Sequence, residues 1–201
     1  MRGRSILTAA FLLPVMWADG FAQGREVRGT VTRNGRALAN VAVSVVPVDT
    51  AVPGSVDTVE IDQRELRFVP NIVAVGVGGS VMFRNSDPYL HNVYSPTGAQ
   101  FTLGTYARGD TRLHRFETPG RYVVLCNVHP EMVAYVFVVS SPYHAITDSD
   151  GRFTVAGLPA GGYLVQVWLA RGPPFEQIVS AAQVRNDRLR IEIGSDTGRP
   201  Q

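Results

Sequence analysis

Cysteine is nearly absent from this chain. The 201 residues hold one, Cys126, so no disulfide can form within the chain and no pair of thiolates can bridge two metal ions. Lysine is missing altogether: the 19 basic residues are all arginine, set against 17 acidic ones. A formal net charge of +2 gives no basis for a nucleic-acid or polybasic membrane role. Beyond the first 22 residues, no segment offers the run of about 18 apolar residues that a membrane-spanning helix requires. There is no nucleophile elbow of the G-x-S-x-G type, no phosphate loop and no H-E-x-x-H pair. Long segments of helical period are lacking too.

What is present begins with a targeting pattern. Residues 1–22 open with Arg2 and Arg4, continue through ILTAAFLLPVMWA and end in small residues at Gly20 to Ala22. This is the pattern of a secretory signal peptide. The protein is expected to be exported, periplasmic or secreted, after cleavage near Ala22. Losing Arg2, Arg4 and Asp19 leaves 17 basic and 16 acidic side chains, a net charge of +1. Roughly 180 residues then remain, room for one large domain or two small ones.

The rest of the sequence is a series of short runs rich in Val, Ile, Tyr and Phe, punctuated by Gly, Pro, Asn and Asp, which predicts an all-β chain. Strands are expected at 26–33, 40–48, 58–62, 65–70, 72–75, 80–85, 112–117, 121–126, 133–139, 144–147, 151–156, 163–170, 175–184 and 188–193. Asn34-Gly35 and Asp150-Gly151 lie between expected strands and supply the positive φ that tight hairpins need. The stretches GTVTRNGRALANVAVSVVP and TDSDGRFTVAGLPAGGYLVQVWL resemble the carboxypeptidase regulatory-like domain, a transthyretin-like β-sandwich. About a hundred residues separate Pro47 from Thr147. The expected organisation is therefore one discontinuous sandwich from 23–55 and 140–196, a second domain at 56–139 inserted in one of its loops, and a tail at 197–201. In the alternative order, 140–201 folds alone beside an added N-terminal hairpin, although an isolated hairpin is marginal in water.

The inserted segment carries the chemistry. CNVHPEM places Cys126, His129 and Met132 three residues apart between two apolar runs, with Pro130 stiffening the loop, and RNSDPYLHNVYS supplies His91. Singly, a buried Cys is a small hydrophobe, a His a hydrogen-bonded residue and a Met a space-filler. Together, one thiolate, two imidazoles and a thioether make a mixed soft site, and a trigonal His2Cys set with a weak axial Met is the blue-copper arrangement. Asp148 and Asp150 in TDSDG are expected to shape a turn, with a calcium site as a distant second reading. His114 and His144 are expected to be ordinary surface residues.

RFVP, VGVGGSVMFRNSD before His91 and ETPGRYVVLC before the loop make 56–139 similar to the plastocyanin and azurin group of cupredoxins, Greek-key β-sandwiches, with a ligand loop most like amicyanin. The resemblance implies one copper cycling between Cu(II) and Cu(I), with His91, Cys126 and His129 as equatorial ligands and Met132 as the axial one. It also implies that the backbone N–H of Asn92 supports the thiolate. Glu131 departs from the pattern, where amicyanin-like loops carry an apolar residue, and its carboxylate would change which partner docks there without needing to disturb the metal. The function implied is outer-sphere electron transfer, without enzymatic turnover, to a redox partner docking near His129 through Val128, Pro130, Pro88, Tyr89 and Leu90. Two other readings stand beside it: copper sequestration or delivery, and an adhesion or carbohydrate-binding sandwich with a vestigial metal site. The single Met outside the signal segment and the strands, Met132, counts against delivery.

Overall fold

The computed structural model describes residues 24–186 and 188–194. The segment 1–22, where a signal peptide is expected, and the tail at 197–201 lie outside the described residues. In chain order the first strands are β1 (Arg25–Arg33), β2 (Arg36–Ala37), β3 (Ala42–Pro47), β4 (Thr58–Arg64), β5 (Arg67–Val69) and β6 (Ile72–Gly76). There follow β7 (Ser80–Asn85), β8 (His91–Ser95), β9 (Phe101–Tyr106), β10 (Thr111–Arg115), β11 (Gly120–Leu125) and β12 (Val133–Val139). The last are β13 (His144–Ile146), β14 (Arg152–Leu158), β15 (Tyr163–Trp168) and β16 (Phe175–Val179), then a short helix α1 (Ala181–Asn186) and β17 (Leu189–Ile193). The fold is all-β, as the sequence predicts.

Side chains on a strand point alternately to opposite faces, and burial follows that period. In β17, Leu189, Ile191 and Ile193 are buried while Arg190 and Glu192 face out. β14 likewise buries Phe153 and Val155 between exposed Arg152, Thr154 and Ala156. β12 is different: VAYVFVV is apolar throughout because both of its faces are covered.

The strands form four sheets. One runs β14-β1-β17 with β2 added on β1, and a second runs β13-β3-β15-β16. These two share a core that includes Val31, Val43, Val45, Val155, Val165 and Ile191. The third runs β10-β7-β4-β5 and the fourth β6-β12-β11-β8-β9, around a core that includes Ile61, Phe83, Val93, Phe116, Val124 and Val136. The chain thus leaves the first pair of sheets after β3, builds β4 to β12 elsewhere, and returns with β13, which pairs antiparallel to β3. β1 takes β14 antiparallel on one side and β17 parallel on the other. A third apolar cluster stacks the second sheet on the fourth: Ala42 meets Ala74, Phe137 and Val139, flanked by Ile72, Tyr135, Ile146 and Trp168. Arg121 Nη1 adds hydrogen bonds to the carbonyls of Leu169 and Gly172, each at 3.2 Å.

Several local expectations change. Asn34 and Gly35, at φ of 51° and 70°, do close a hairpin, but its second strand is the two-residue β2, and β3 crosses to the other sheet. Asp150-Gly151 makes no hairpin, since β13 pairs with β3 and β14 with β1. That turn carries the chain between sheets. Asp148 Oδ1 accepts the N–H groups of Asp150 and Arg152 at 2.9 and 2.8 Å, and a Cβ at Gly151 would strike the Val31 carbonyl. Asp148 therefore shapes the turn, while the Asp150 carboxylate pairs with Arg152. β8 and β9 occupy segments without a predicted strand, and the strand expected over 175–184 stops at Val179, two residues before α1 begins at Ala181.

Phe137 is wholly buried between the stacked sheets, so Phe137→Ala should destabilise the protein by about 3–5 kcal/mol, the cost typical of a ring removed from a packed core. Chemical denaturation measures it. A loss under about 1 kcal/mol would mean that the stacked faces collapse around the gap and that this ring does not hold them together.

Candidate metal centre

β7 ends at Asn85 and β8 begins at His91, so His91 opens a strand rather than lying in a loop. Asn85 shapes the connection: its Oδ1 accepts the N–H of Asp87 at 2.9 Å, and its Nδ2 donates to the carbonyls of Tyr89 and Tyr106 at 2.8 and 3.2 Å. In the fourth sheet β11 lies between β8 and β12, and its last residue, Leu125, pairs with Tyr94. Cys126 follows directly, buried and unpaired. The chain then turns back through 127–132, closed by the Met132 N–H on the His129 carbonyl at 3.0 Å, and enters β12 at Val133. Pro130 fixes one φ of that turn.

The topology brings three of the predicted residues together. The ligand atoms of His91, Cys126 and His129 all lie within 4.8 Å of one another. Cys126 Sγ is 3.7 Å from His91 Nδ1, and the Nδ1 atoms of His91 and His129 are 3.1 Å apart. The two rings meet edge to face, with centroids 4.7 Å apart. Met132 is buried in the same core cluster as Cys126. Asn92 binds the ligand loop through its side chain, Oδ1 accepting the N–H of Asn127 at 2.8 Å. His91 is 0% and Cys126 1% exposed, whereas His129 is only half-buried. Beside His129 lie the exposed Tyr89, with ring centroids 6.1 Å apart, and its exposed chain neighbours Val128 and Pro130; Pro88 and Leu90, which flank Tyr89, are exposed as well.

His114 and His144 stay out of the cluster, and neither is an ordinary surface residue. His114 stacks on Phe101 with centroids 3.8 Å apart and meets Phe116 edge-on, and burial lowers its pKa. His144 Nε2 lies 3.2 Å from the Ala74 carbonyl and 3.6 Å from Asp57 Oδ2, where the second and fourth sheets stack.

Sequence reasoning missed Asp87 and Gln63. Asp87 Oδ2 lies 2.9 Å from His91 Nε2, and the carboxylate also accepts the N–H groups of Glu65 and Leu66 at 2.7 and 2.9 Å. Burial acts to raise the pKa of this carboxyl, but the Leu66 N–H, the His91 ring and the Glu65 N–H outweigh it and hold the group below its ordinary value. An ionised carboxylate only accepts, so His91 turns an Nε2–H toward Asp87 and its Nδ1 toward Cys126. Glu65 and Leu66 are the two residues joining β4 to β5, at φ of 54° and 56°. Such left-handed backbone costs an L-residue about 1–2 kcal/mol, and Asp87 offsets part of that through both turn amides. Gln63, wholly buried, donates from Nε2 to the Asn92 carbonyl at 3.3 Å. The one signal available for Asp87 was its place four residues before His91 in a proline-containing loop.

The donor set fits a soft, one-electron metal. A buried thiol beside two imidazole nitrogens is a cation site of borderline-soft character, which suits copper. Its one half-exposed member, His129, reaches the surface.

No protein-family model matches the chain. The plastocyanin of Ulva prolifera is 33% identical over 78 residues, which cover 34% of this chain and 80% of that protein. The plastocyanin of Ulva pertusa is 30% identical over 78 residues with the same coverage, 34% and 80%. Among solved structures, a purple cupredoxin from Nitrosopumilus maritimus aligns at 26% identity over 40% of this chain and 98% of its own, with a TM-score of 0.38. An amicyanin variant in its Cu(I) form aligns at 20% identity over 48% of this chain and 97% of its own, also with a TM-score of 0.38. At 33% identity over four-fifths of a plastocyanin, a sequence likeness that falls on a chain with a clustered His2Cys set, this protein belongs to the plastocyanin family.

Proposed function

We propose that this is an exported, periplasmic or secreted, mononuclear blue-copper protein that carries electrons by outer-sphere transfer and is not an enzyme. The observation that carries the reading is the convergence of Cys126 Sγ with the Nδ1 atoms of His91 and His129 in a mostly buried cluster. His91, Cys126 and His129 would be the equatorial ligands and Met132 the axial one. Copper held there supplies exchange of one electron between Cu(II) and Cu(I), with no bond made or broken in the partner. The chain's own part is to hold the donors still. β8 fixes His91, the neighbouring β11 fixes Cys126 just past its end, and Asn92 supports the thiolate end of the loop through Asn127.

Exit of the electron is assigned to His129, the half-exposed donor. Tyr89, Leu90, Val128, Pro88 and Pro130 would form the apolar surface on which a redox partner docks, and small interfaces are normal for redox encounters. Glu131, exposed beside His129, would tune which partner docks. We also read residues 56–139 as a plastocyanin-like domain inserted into a carboxypeptidase regulatory-like sandwich built from 23–55 and 140–196. The pairing of β1 and β3 with β13, β14, β15 and β17 supports that division.

Loading with Cu(II) should turn the wild-type protein intensely blue through thiolate-to-copper charge transfer, and Cys126→Ser should abolish the band. A colourless copper-loaded wild type would overturn the reading. Met132 allows a second check, since the axial ligand adjusts the potential. Met132→Leu should raise the midpoint potential and Met132→Gln should lower it, with the blue band retained in both. Unchanged potentials would make Met132 a packing residue.

A further inference from the structure

Asp87 faces a donor on one side and a surface turn on the other. It is 5% exposed, and its carboxylate accepts from His91 Nε2 at 2.9 Å and from the backbone of Glu65 and Leu66 at 2.7 and 2.9 Å. Two of the three bonds are to main-chain amides, so the carboxylate is anchored on backbone and can in turn anchor a ring. Asn85 holds it from below through the Asp87 N–H at 2.9 Å. A histidine that gives its second N–H to a carboxylate is fixed in tautomer and orientation and becomes a stronger donor to a metal. A negative charge one ring away also favours the more positive of two metal states.

We propose that Asp87 is the positioning residue of the centre: it clamps His91 to the Glu65–Leu66 turn and lowers the midpoint potential of the copper that His91 would hold. The effect on potential rests on the copper-carrier reading above. The clamp itself exists with or without the metal.

The test uses the full chain with Asp87→Asn, in two arms. In the metal-free protein, hydrogen exchange at the Glu65 and Leu66 amides should speed up at least about tenfold, because an amide side chain offers one acceptor atom where a carboxylate offers two. The His91 Nε2 proton, which the clamp predicts to exchange slowly in the wild type when followed by NMR, should become fast. Unchanged exchange at all three positions would overturn the clamp. In the copper-loaded protein, the ratio of Cu(II) to Cu(I) affinity should fall by about tenfold, the lower end of what such outer partners contribute. For a one-electron couple that is a rise of about 59 mV. A blue variant with the wild-type potential would overturn the electrostatic role.

Should Asp87→Asn alone fail to fold, the background Glu65→Asn with Leu66→Gly supplies a turn that adopts positive φ without help. That background alone should keep the wild-type potential, and adding Asp87→Asn to it should still raise the potential. If repairing the turn restores the potential in the triple variant, the effect belongs to the turn's shape and the carboxylate has no role at His91. If the wild type takes up no copper, the exchange arm still decides the clamp and only the electron-carrier reading falls.

Discussion

Strand β12 has to satisfy two cores at once, and the rest of the molecule is arranged around that constraint. Ala134, Val136 and Val138 pack into the cluster that holds Cys126 and Met132, while Phe137 and Val139 on the opposite face meet Ala42 and Ala74. A slip of one residue would exchange the two sets, so the register is strongly specified. It is also locked from both sides, by the parallel ladder to β6 from Tyr135–Ile72 to Val139–Gly76 and by the antiparallel ladder to β11. The ligand loop starts at Cys126 at the end of β11 and feeds into β12 at Val133. Its two ends are therefore fixed by the same packing that joins the second sheet to the fourth.

On this apolar frame sits a small polar system with nearly every group partnered. Buried polar atoms cost free energy unless they are bonded, and here they bond each other in sequence. Gln63 supports the Asn92 carbonyl, Asn92 supports Asn127 beside Cys126, Asn85 supports Asp87, and Asp87 supports His91. The two histidines differ as a result. His91 has both ring nitrogens committed, one to Asp87 and one toward the thiol, whereas His129 has one nitrogen facing the cluster and lies half-exposed. One imidazole is thus locked and the other reaches the surface.

How much of this the sequence disclosed depends on whether the determinant is local. The Cys126, His129 and Met132 spacing is confined to seven residues, and the alternation in β14 and β17 is read off the chain directly. β8 escaped because its buried residues include His91, Asn92 and Ser95, which are inside by virtue of hydrogen bonds made elsewhere. β9 escaped because Gly104, at φ of 69°, interrupts its pattern. The overrun into 180–184 passed over a legible signal: Ser180 and Gln183 form a capping box, with Ser180 N–H on Gln183 Oε1 at 2.8 Å and Gln183 N–H on Ser180 Oγ at 3.4 Å. Asp87 was hidden for a different reason. Its partners come from the β4–β5 turn and from β8, and no local pattern announces a bond between two loops.

The stacking of the sheets also bears on where a partner can approach. The outer face of β6 and β12 is covered along its length, from Ile72 and Tyr135 to Val139, by Ala42, Ile146 and Trp168. A packed interior resists displacement, and Arg121 adds bonds to two carbonyls beyond β15. That face is closed to docking. The loop end is not: Tyr89 and Leu90 are more than half exposed and Val128 nearly so, around the half-buried ring of His129. Covering one face of the sheet while leaving the ligand loops bare puts His129, the half-exposed member of the three clustered donors, at the uncovered end.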